Sequence, residues 1–508
     1  MNKIISIYDK NDFDALWHSI KSGGGINVGT LFHQAKVNGW VDPLKTSVST
    51  STPPQDAKDI RNARLFAEAN HNKLLFIAET NDVLKFGIEG WTRALSGDAE
   101  RAAKNVIANM RHEACELFKQ THEDPKAIEL NKHAVYSSTA QRIQAMIDLS
   151  KSEQGMSERI SAFDADPNLL GVRNSVLNLK TKALIKVMPE LRVSMRANVL
   201  FEQGAKCPKW LQFINDIQPD QDVQRLLKQL AGIFLCGDSN QQKLIFLYGG
   251  GANGKSTFME LLAWLLGDYT KRIATEMLMQ HQRSPQGPSP DIVSLKGRRL
   301  VYCNEVEEGR HLAEARVKEL TGGDTLSGRV PYAKEDITFQ PTHNLVMVGN
   351  HQPEIRDMSY GMWRRVLLIH FDQTIPDYKR DPALLEKLKS EGSGILNWML
   401  DGYHDYQKNG LKIPEAISAA TATYKSEQDL IGEWIHDHCN IAAASHTSKI
   451  DCYRAYQVWT KRNGQHPLAQ RRFTTRLVDK GYKLDGGRRN IIGLKLNFDG
   501  QRDASSWL

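Results

Sequence analysis

The run KLIFLYGGGANGKSTFMELLAWLLG, residues 243–267, constrains this chain more than any other segment. Leu244 to Tyr248 are apolar or aromatic and read as a buried strand. Gly249 to Thr257 follow, carrying the pattern G-x-x-x-x-G-K-S, and an amphipathic helix begins at once. A strand, a glycine-rich turn and a helix in that order make a cradle for phosphate. Glycines let backbone N–H groups turn inward, and the helix N-terminus adds partial positive charge. Lys255 then reaches the outer phosphates, while the Ser256 hydroxyl ligates Mg²⁺. We assign Gly249, Gly250, Gly251, Ala252, Asn253, Gly254, Lys255, Ser256 and Thr257 to a nucleoside triphosphate, with ATP and Mg²⁺ as the expected pair. The competing reading is a chance glycine-rich turn, which the flanking strand and helix argue against.

Further along, RRLVYCNEVEEG runs the apolar strand Leu300 to Cys303 into Asn304, Glu305, Glu307 and Glu308. A carboxylate at the end of the strand neighbouring the phosphate loop stands where Mg²⁺ and the attacking water need help. Glu305 is assigned to orient and activate that water and to support the metal. Taken alone, the run reads as a solvated acidic turn. A third strand, NLVMVGN, ends at Asn350, which suits a contact to the γ-phosphate or the water; an asparagine in a turn is the plainer alternative. GMWRRVLLIHF places Arg364 and Arg365 before another strand. An arginine reaching a neighbouring subunit's nucleotide stabilises transition-state charge, whereas a surface pair of arginines has no such role.

Around this centre the composition is that of an ordinary globular chain, 41% hydrophobic and 25% charged. The net charge of +7 suits a nucleic-acid partner without requiring one. Six scattered cysteines form no CxxC pair, so neither a zinc finger nor a disulfide framework is expected. No apolar run is long enough to span a membrane, and the first residues lack a signal-peptide apolar core.

The strings GGGANGKSTF, NEVEEGRHLAEARVKELTGGDTLSGR, QPTHNLVMVGNHQPEI and GMWRRVLLIHF occur in that order. Upstream stand FDADPNLLGVRNSVLNLKT and AKCPKWLQFINDIQPDQDVQRLLKQLAGIFLCG. Together they resemble the superfamily-three helicases of the phage and plasmid primase–helicase group, which includes satellite-phage and poxvirus replication proteins. The resemblance implies a multidomain α/β protein with an AAA+-type phosphate-loop ATPase core. It implies a homo-oligomeric ring, a hexamer, that translocates 3′ to 5′ on single-stranded DNA and opens forked DNA. Asn350 takes the sensor role and Arg364 or Arg365 the finger. Lys318 matches a basic residue offered to the neighbouring subunit's nucleotide, and Lys334 a hairpin that grips DNA in the channel. One departure stands out: relatives carry two acidic residues where this chain has Asn304 and Glu305, so Glu307 or a water becomes the alternative support for Mg²⁺.

The expected organisation follows. Residues 1–45 resemble the end of a primase C-terminal module and include His33, read as a packed surface histidine. Residues 46–59 form a linker, 60–200 a mixed α/β N-terminal domain, and 201–240 a helical collar. Residues 241–375 form the motor, 376–430 a helical connection and 431–508 a winged-helix domain. In the last, Tyr453, Tyr456, Trp459, Phe473 and Leu477 read as core, and Arg471, Arg472 and Arg476 as the DNA-facing residues of a recognition helix. No paired-carboxylate primase motif is found upstream of the motor, so the chain is expected to be either a stand-alone helicase or one part of a split primase–helicase, with a separate primase as partner in the second case. The expected setting is the cytoplasm of a bacterial host carrying a mobile element. Two other functions compete. One is a DNA-stimulated ATPase that binds or remodels an origin without processive unwinding. The other is a small-molecule kinase, which leaves Lys334, the paired arginines and the basic tail without a role.

Overall fold

A computed structural model of the chain describes residues 58–121, 124–238, 241–280, 289–304, 308–331 and 336–505. The chain divides into two compact units, Met1–Asn62 and Ala63–Leu508. The expected module at 1–45, with His33, and all but the last two residues of the expected linker lie outside the described residues, as do Glu305, Glu307 and Lys334. The first described element is the helix Lys58–Asn70.

The second unit opens with a small sheet of β1 (Leu74–Ile77), β2 (Val83–Gly87), β3 (Gly90–Arg93) and β4 (Ser157–Glu158), in the order β3-β2-β1-β4. Helix Asp98–Gln120 covers it because Ala99, Ala103, Val106, Ile107 and Met110 recur at helical spacing and share a core with Phe66, Leu74 and Phe76. A second antiparallel sheet follows, β5 (Leu169–Val172), β6 (Ser175–Asn178) and β7 (Leu184–Ile185).

The centre of the unit is built from β8 (Leu244–Tyr248), β9 (Thr270–Arg272) and β10 (Leu300–Asn304), then the antiparallel hairpin β11 (Leu326–Gly328) and β12 (Ile337–Phe339), then β13 (Asn344–Gly349) and β14 (Val366–His370). Outside the hairpin, these strands form one sheet, all parallel, in the order β14-β8-β13-β10-β9. Successive side chains of a strand point to opposite faces, and the burial follows that rule. Ile245, Leu247, Val346, Val348, Leu367 and Ile369 share one core with helices Pro208–Ile217, Gln221–Ile233, Lys255–Leu266 and Gly392–Asn409. Leu244, Phe246, Leu345, Met347, Val366 and Leu368 share the other with helix Glu314–Thr321, the β11–β12 hairpin, Trp363 and Tyr424. A sheet buried on both faces is what near-continuous apolar strands require.

This order corrects one expectation. The strand that runs into the acidic segment, β10, does not neighbour the phosphate-loop strand β8; β13 is inserted between them. Strands lie about 4.8 Å apart, so the end of β10 sits roughly 10 Å from that of β8.

Arg299, 2% exposed, ties the modules together. Its guanidinium donates to the Leu235 and Leu169 carbonyls and lies 4.2 Å over the Tyr269 ring. The Tyr269 hydroxyl in turn accepts from Gly171 N and donates to the Met195 carbonyl. One buried pair therefore joins the β5–β7 sheet, the helical layer and the parallel sheet.

The C-terminal part comprises helix Leu430–His438, β15 (Cys439–Ser448), helices Lys449–Arg462 and Gln470–Asp479, β16 (Lys483–Leu484), β17 (Asn490–Leu496) and helix Phe498–Ser505. Its sheet is antiparallel, in the order β15-β17-β16. Tyr456, Trp459, Phe473 and Leu477 are buried with Trp434, and Tyr453 packs against them, so the aromatic stripe is core.

Candidate nucleotide site

The loop after β8 turns through three residues of positive φ: Gly249 at 149°, Ala252 at 57° and Gly254 at 82°. Side chains rarely tolerate this region, which is why glycine dominates such turns. Space adds a second demand. A Cβ on Gly249 would collide with the Phe371 carbonyl oxygen, and one on Gly254 with the Ile217 side chain. The loop is also braced from behind. Asn253 Nδ2 donates to the carbonyls of Gly250, at 2.5 Å, and Phe371, at 2.9 Å, and Ile375 N donates to the Ala252 carbonyl at 2.8 Å.

Lys255 opens the following helix and is 4% exposed. Its ammonium donates to the carbonyls of Gly249, at 2.7 Å, and Gly250, at 2.9 Å. It also reaches Asn253 Oδ1 at 2.8 Å and Asn350 Oδ1 at 3.2 Å. Burial pulls its pKa down to about 8, because the charged form loses hydration. The neutral oxygens around it are weaker acceptors than an anionic phosphate oxygen. The ammonium is thus held, desolvated, where a phosphate would be its best partner.

The cleft beside it, about 600 Å³, is lined by residues 251–257, Asn304, Glu308, Val348, Gly349, Asn350 and His351. The carboxyl ends of β10 and β13 therefore converge on the loop, as open parallel sheets generally arrange their ligand sites. Glu305, assigned to the water, lies outside the described residues. Among the described residues, Asn304 Oδ1 is buried with no hydrogen-bond partner. Glu308 and His351 went unassigned on the sequence. The signal for Glu308 was its place three residues beyond Glu305; for His351 there was none beyond adjacency to Asn350.

The remaining assigned residues sit elsewhere. Arg364 and Arg365 immediately precede β14, at the end of the sheet opposite the loop, since Val366 pairs with Leu244 and His370 with Tyr248. Arg364 is exposed and its guanidinium donates to Gln242 Oε1 at 2.7 Å, while Gln242 Nε2 donates to the Gly322 carbonyl at 2.7 Å. Arg365 is half-buried, bonded to the Gly361 carbonyl, with its Nε buried and unpartnered. Lys318 lies on helix Glu314–Thr321, paired with Asp357 and 3.5 Å from Ser359 Oγ. Asp357's carboxyl is desolvated, but hydrogen bonds from Lys318 and Ser359 outweigh that and hold its pKa below the usual value. Arg364 and Arg365 thus lie at the end of the sheet away from the loop, and Lys318 contacts Asp357 and Ser359 in the segment that leads to them.

The three tail arginines are not brought together. Arg472 and Arg476 line a cleft with His311, Glu354 and Arg356, where Arg476 donates to the Arg356 carbonyl. Arg471 lies on the other flank of the same helix. Lys334 falls among the undescribed residues between β11 and β12.

The fold and cleft together define a multidomain α/β protein with a phosphate-loop-like site at the carboxyl ends of a parallel sheet. Residues 63–219 match the family described as D5 N terminal like, and residues 247–365 a family of unknown function, DUF5906. The chain is similar to "Putative helicase L207/L206" of Acanthamoeba polyphaga mimivirus, at 28% identity over 335 residues, 61% of this chain and 35% of the relative. It is also similar to "Putative primase C962R" of African swine fever virus (isolate Tick/Malawi/Lil 20-1/1983), at 25% identity over 332 residues, 60% of this chain and 34% of the relative. The chain thus spans about a third of the length of these relatives. Among solved structures, the apo NrS-1 C terminal region (305-718) aligns with a TM-score of 0.45 and 12% identity, over 74% of this chain and 80% of that one. No helix among the described residues is long and apolar enough to cross a membrane.

Proposed function

We propose that this chain is an ATP-dependent DNA helicase motor that works as a ring, a hexamer, on single-stranded DNA. The observation that carries the reading is the desolvated Lys255 ammonium, held between its own loop and Asn350 at the mouth of a polar cleft. The relatives named as helicase and primase support the DNA part of it.

In this reading the loop N–H groups and Lys255 bind the β- and γ-phosphates. Asn350 meets the γ-phosphate from the adjoining strand. Glu305, beyond the end of β10, orients the water in the space that the inserted β13 creates. The residues also suit Mg²⁺: Ser256 at the start of the helix, the unpartnered Asn304 Oδ1 and the Glu308 carboxylate line the same cleft. Such an ion is normally held by few protein groups, with phosphates and waters completing its shell. When bound, it supplies charge neutralisation at the phosphates.

Arg364 precedes the end of β14 remote from the loop, which supports the reading that it, together with Lys318, acts on a neighbouring subunit's nucleotide. Lys334 grips the strand in the channel, and translocation runs 3′ to 5′. The test is hydrolysis by the full chain with and without single-stranded DNA, beside Lys255→Ala. Stimulation by DNA and its loss in the variant are expected. Hydrolysis that survives in Lys255→Ala would refute the site.

A further inference from the structure

Asn350 stands one residue beyond β13 and is exposed, so the sheet alone does not fix its side chain. The chain that follows is irregular, and its buried backbone groups need partners from elsewhere. Among the described residues, the first tether after Asn350 is the Pro353 carbonyl, which accepts from the Tyr424 hydroxyl. Ile355 N then donates to Gln428 Oε1 at 2.9 Å. Glu354 exchanges backbone bonds with Arg310 and Leu312, and the Glu314 and Arg476 side chains hold the backbone further on, at Arg356. Tyr424 and Gln428 are four apart, so they share one flank at the end of helix Glu415–Glu427. That helix is itself fixed: Thr421 Oγ1 accepts from Leu368 N, on the sheet's edge strand β14, at 3.2 Å. The Tyr424 ring is 1% exposed and meets Trp363 edge-on, with 5.3 Å between centroids. The phenol is therefore an anchor that cannot follow the segment if it shifts. Packing alone does not call for its oxygen, because a phenylalanine ring fills the same space.

We propose that Tyr424 and Gln428 are positioning residues for hydrolysis: they hold the backbone at Pro353 and Ile355 so that Asn350 Oδ1 stays beside Lys255, at the place of the γ-phosphate. The assignment rests on the reading of the cleft as the site of ATP hydrolysis. Neither residue lines that cleft, and both act through Asn350. Tyr424 is the stronger of the two, because its tether is nearer to Asn350 and its ring is buried, whereas Gln428 is half-buried. Without the tethers the peptide beyond Asn350 gains freedom, and a displacement of about 1 Å at a reacting group costs up to about 10²-fold in rate. Binding of the phosphates by the loop and Lys255 does not depend on these bonds.

The test compares the full chain with Tyr424→Phe, Asn350→Ala and the double variant, and takes Tyr453→Phe as control. The Tyr453 hydroxyl also donates to a backbone carbonyl, that of Leu468, but in the C-terminal part. Steady-state hydrolysis and equilibrium binding of ATP are measured below every variant's melting transition. Tyr424→Phe should lower kcat roughly tenfold or more while nucleotide affinity changes by no more than about twofold. On the Asn350→Ala background the same substitution should lower turnover no further, because the side chain it acts through is already gone. A merely structural hydroxyl would not give that cycle. Tyr453→Phe should hydrolyse at the parent rate. Gln428→Leu should show a smaller loss with the same dependence on Asn350, and it carries the cycle if Tyr424→Phe does not fold. Parent turnover in both Tyr424→Phe and Gln428→Leu, or an equal fold-loss with and without Asn350, would overturn the assignment and leave the nucleotide site standing. A parent that does not hydrolyse ATP would refute the reading of the cleft and this assignment with it.

Discussion

Lys255 Nζ and Asn350 Oδ1 lie 3.2 Å apart, joining the residue that opens the phosphate-loop helix to the residue beyond the adjoining strand. β8 and β13 pair from Leu244–Leu345 to Tyr248–Gly349, so the sheet brings the segments that follow the two strands side by side. Replacing Asn350 by alanine removes a polar group from the place where the γ-phosphate or the water would sit. Turnover should fall on the order of 10²-fold, as for loss of one preorganised polar contact. Nucleotide affinity should change only a few-fold. Steady-state hydrolysis and equilibrium nucleotide binding, measured side by side, check the split.

The lowered pKa of Lys255 has a defined sign. Below about 8 the ammonium is charged in the free protein; above it the charge is lost. A bound triphosphate is anionic and raises that pKa, so binding above pH 8 takes up a proton. Nucleotide affinity should therefore fall as pH rises from 8, by up to about tenfold per unit. Calorimetry in two buffers of different ionisation enthalpy reads the proton uptake directly, and Lys255→Ala should abolish it.

Of the two arginines before β14, Arg364 is the better candidate for the finger that the proposed ring requires. It is exposed on the far edge and steadied by Gln242, whereas Arg365 is half-buried and tied to Gly361. Arg364→Ala should cut turnover by on the order of 10³-fold while sparing nucleotide binding. Arg365→Ala should show chiefly as lost stability. Mixing Arg364→Ala with Lys255→Ala subunits should raise hydrolysis above the mean of the two if sites form between subunits, because an intact Lys255 then faces an intact Arg364.

Arg299→Leu leaves the Leu235 and Leu169 carbonyls without their donor in a buried place. Each unsatisfied group costs about 1–3 kcal/mol. The melting transition should move down by several degrees, with the β5–β7 region gaining hydrogen exchange first.

The places of the loop and of Asn350 were legible because they follow locally from chain chemistry: Gly254 to Thr257 must follow a strand, and Asn350 must end one, whereas Glu308 and His351 of the same cleft were not. Strand neighbours were not legible. Apolar alternation makes β10 and β13 strands, but their order depends on how the connecting helices pack, and β13 took the place beside β8 expected for β10. The tail shows the same limit. Helical spacing sends Phe473 and Leu477 to the core and puts Arg472 and Arg476, four apart, on one flank. Only the docking of that flank against Arg356 shows that it faces the rest of the chain, which leaves Arg471 on the other flank.

The most direct test of the account is strand separation on a forked duplex by the full chain with ATP and Mg²⁺, beside Lys255→Ala. The account predicts ATP-dependent unwinding that requires a 3′ single-stranded tail and disappears in the variant. DNA-stimulated hydrolysis without any strand separation would contradict it and assign the chain to remodelling.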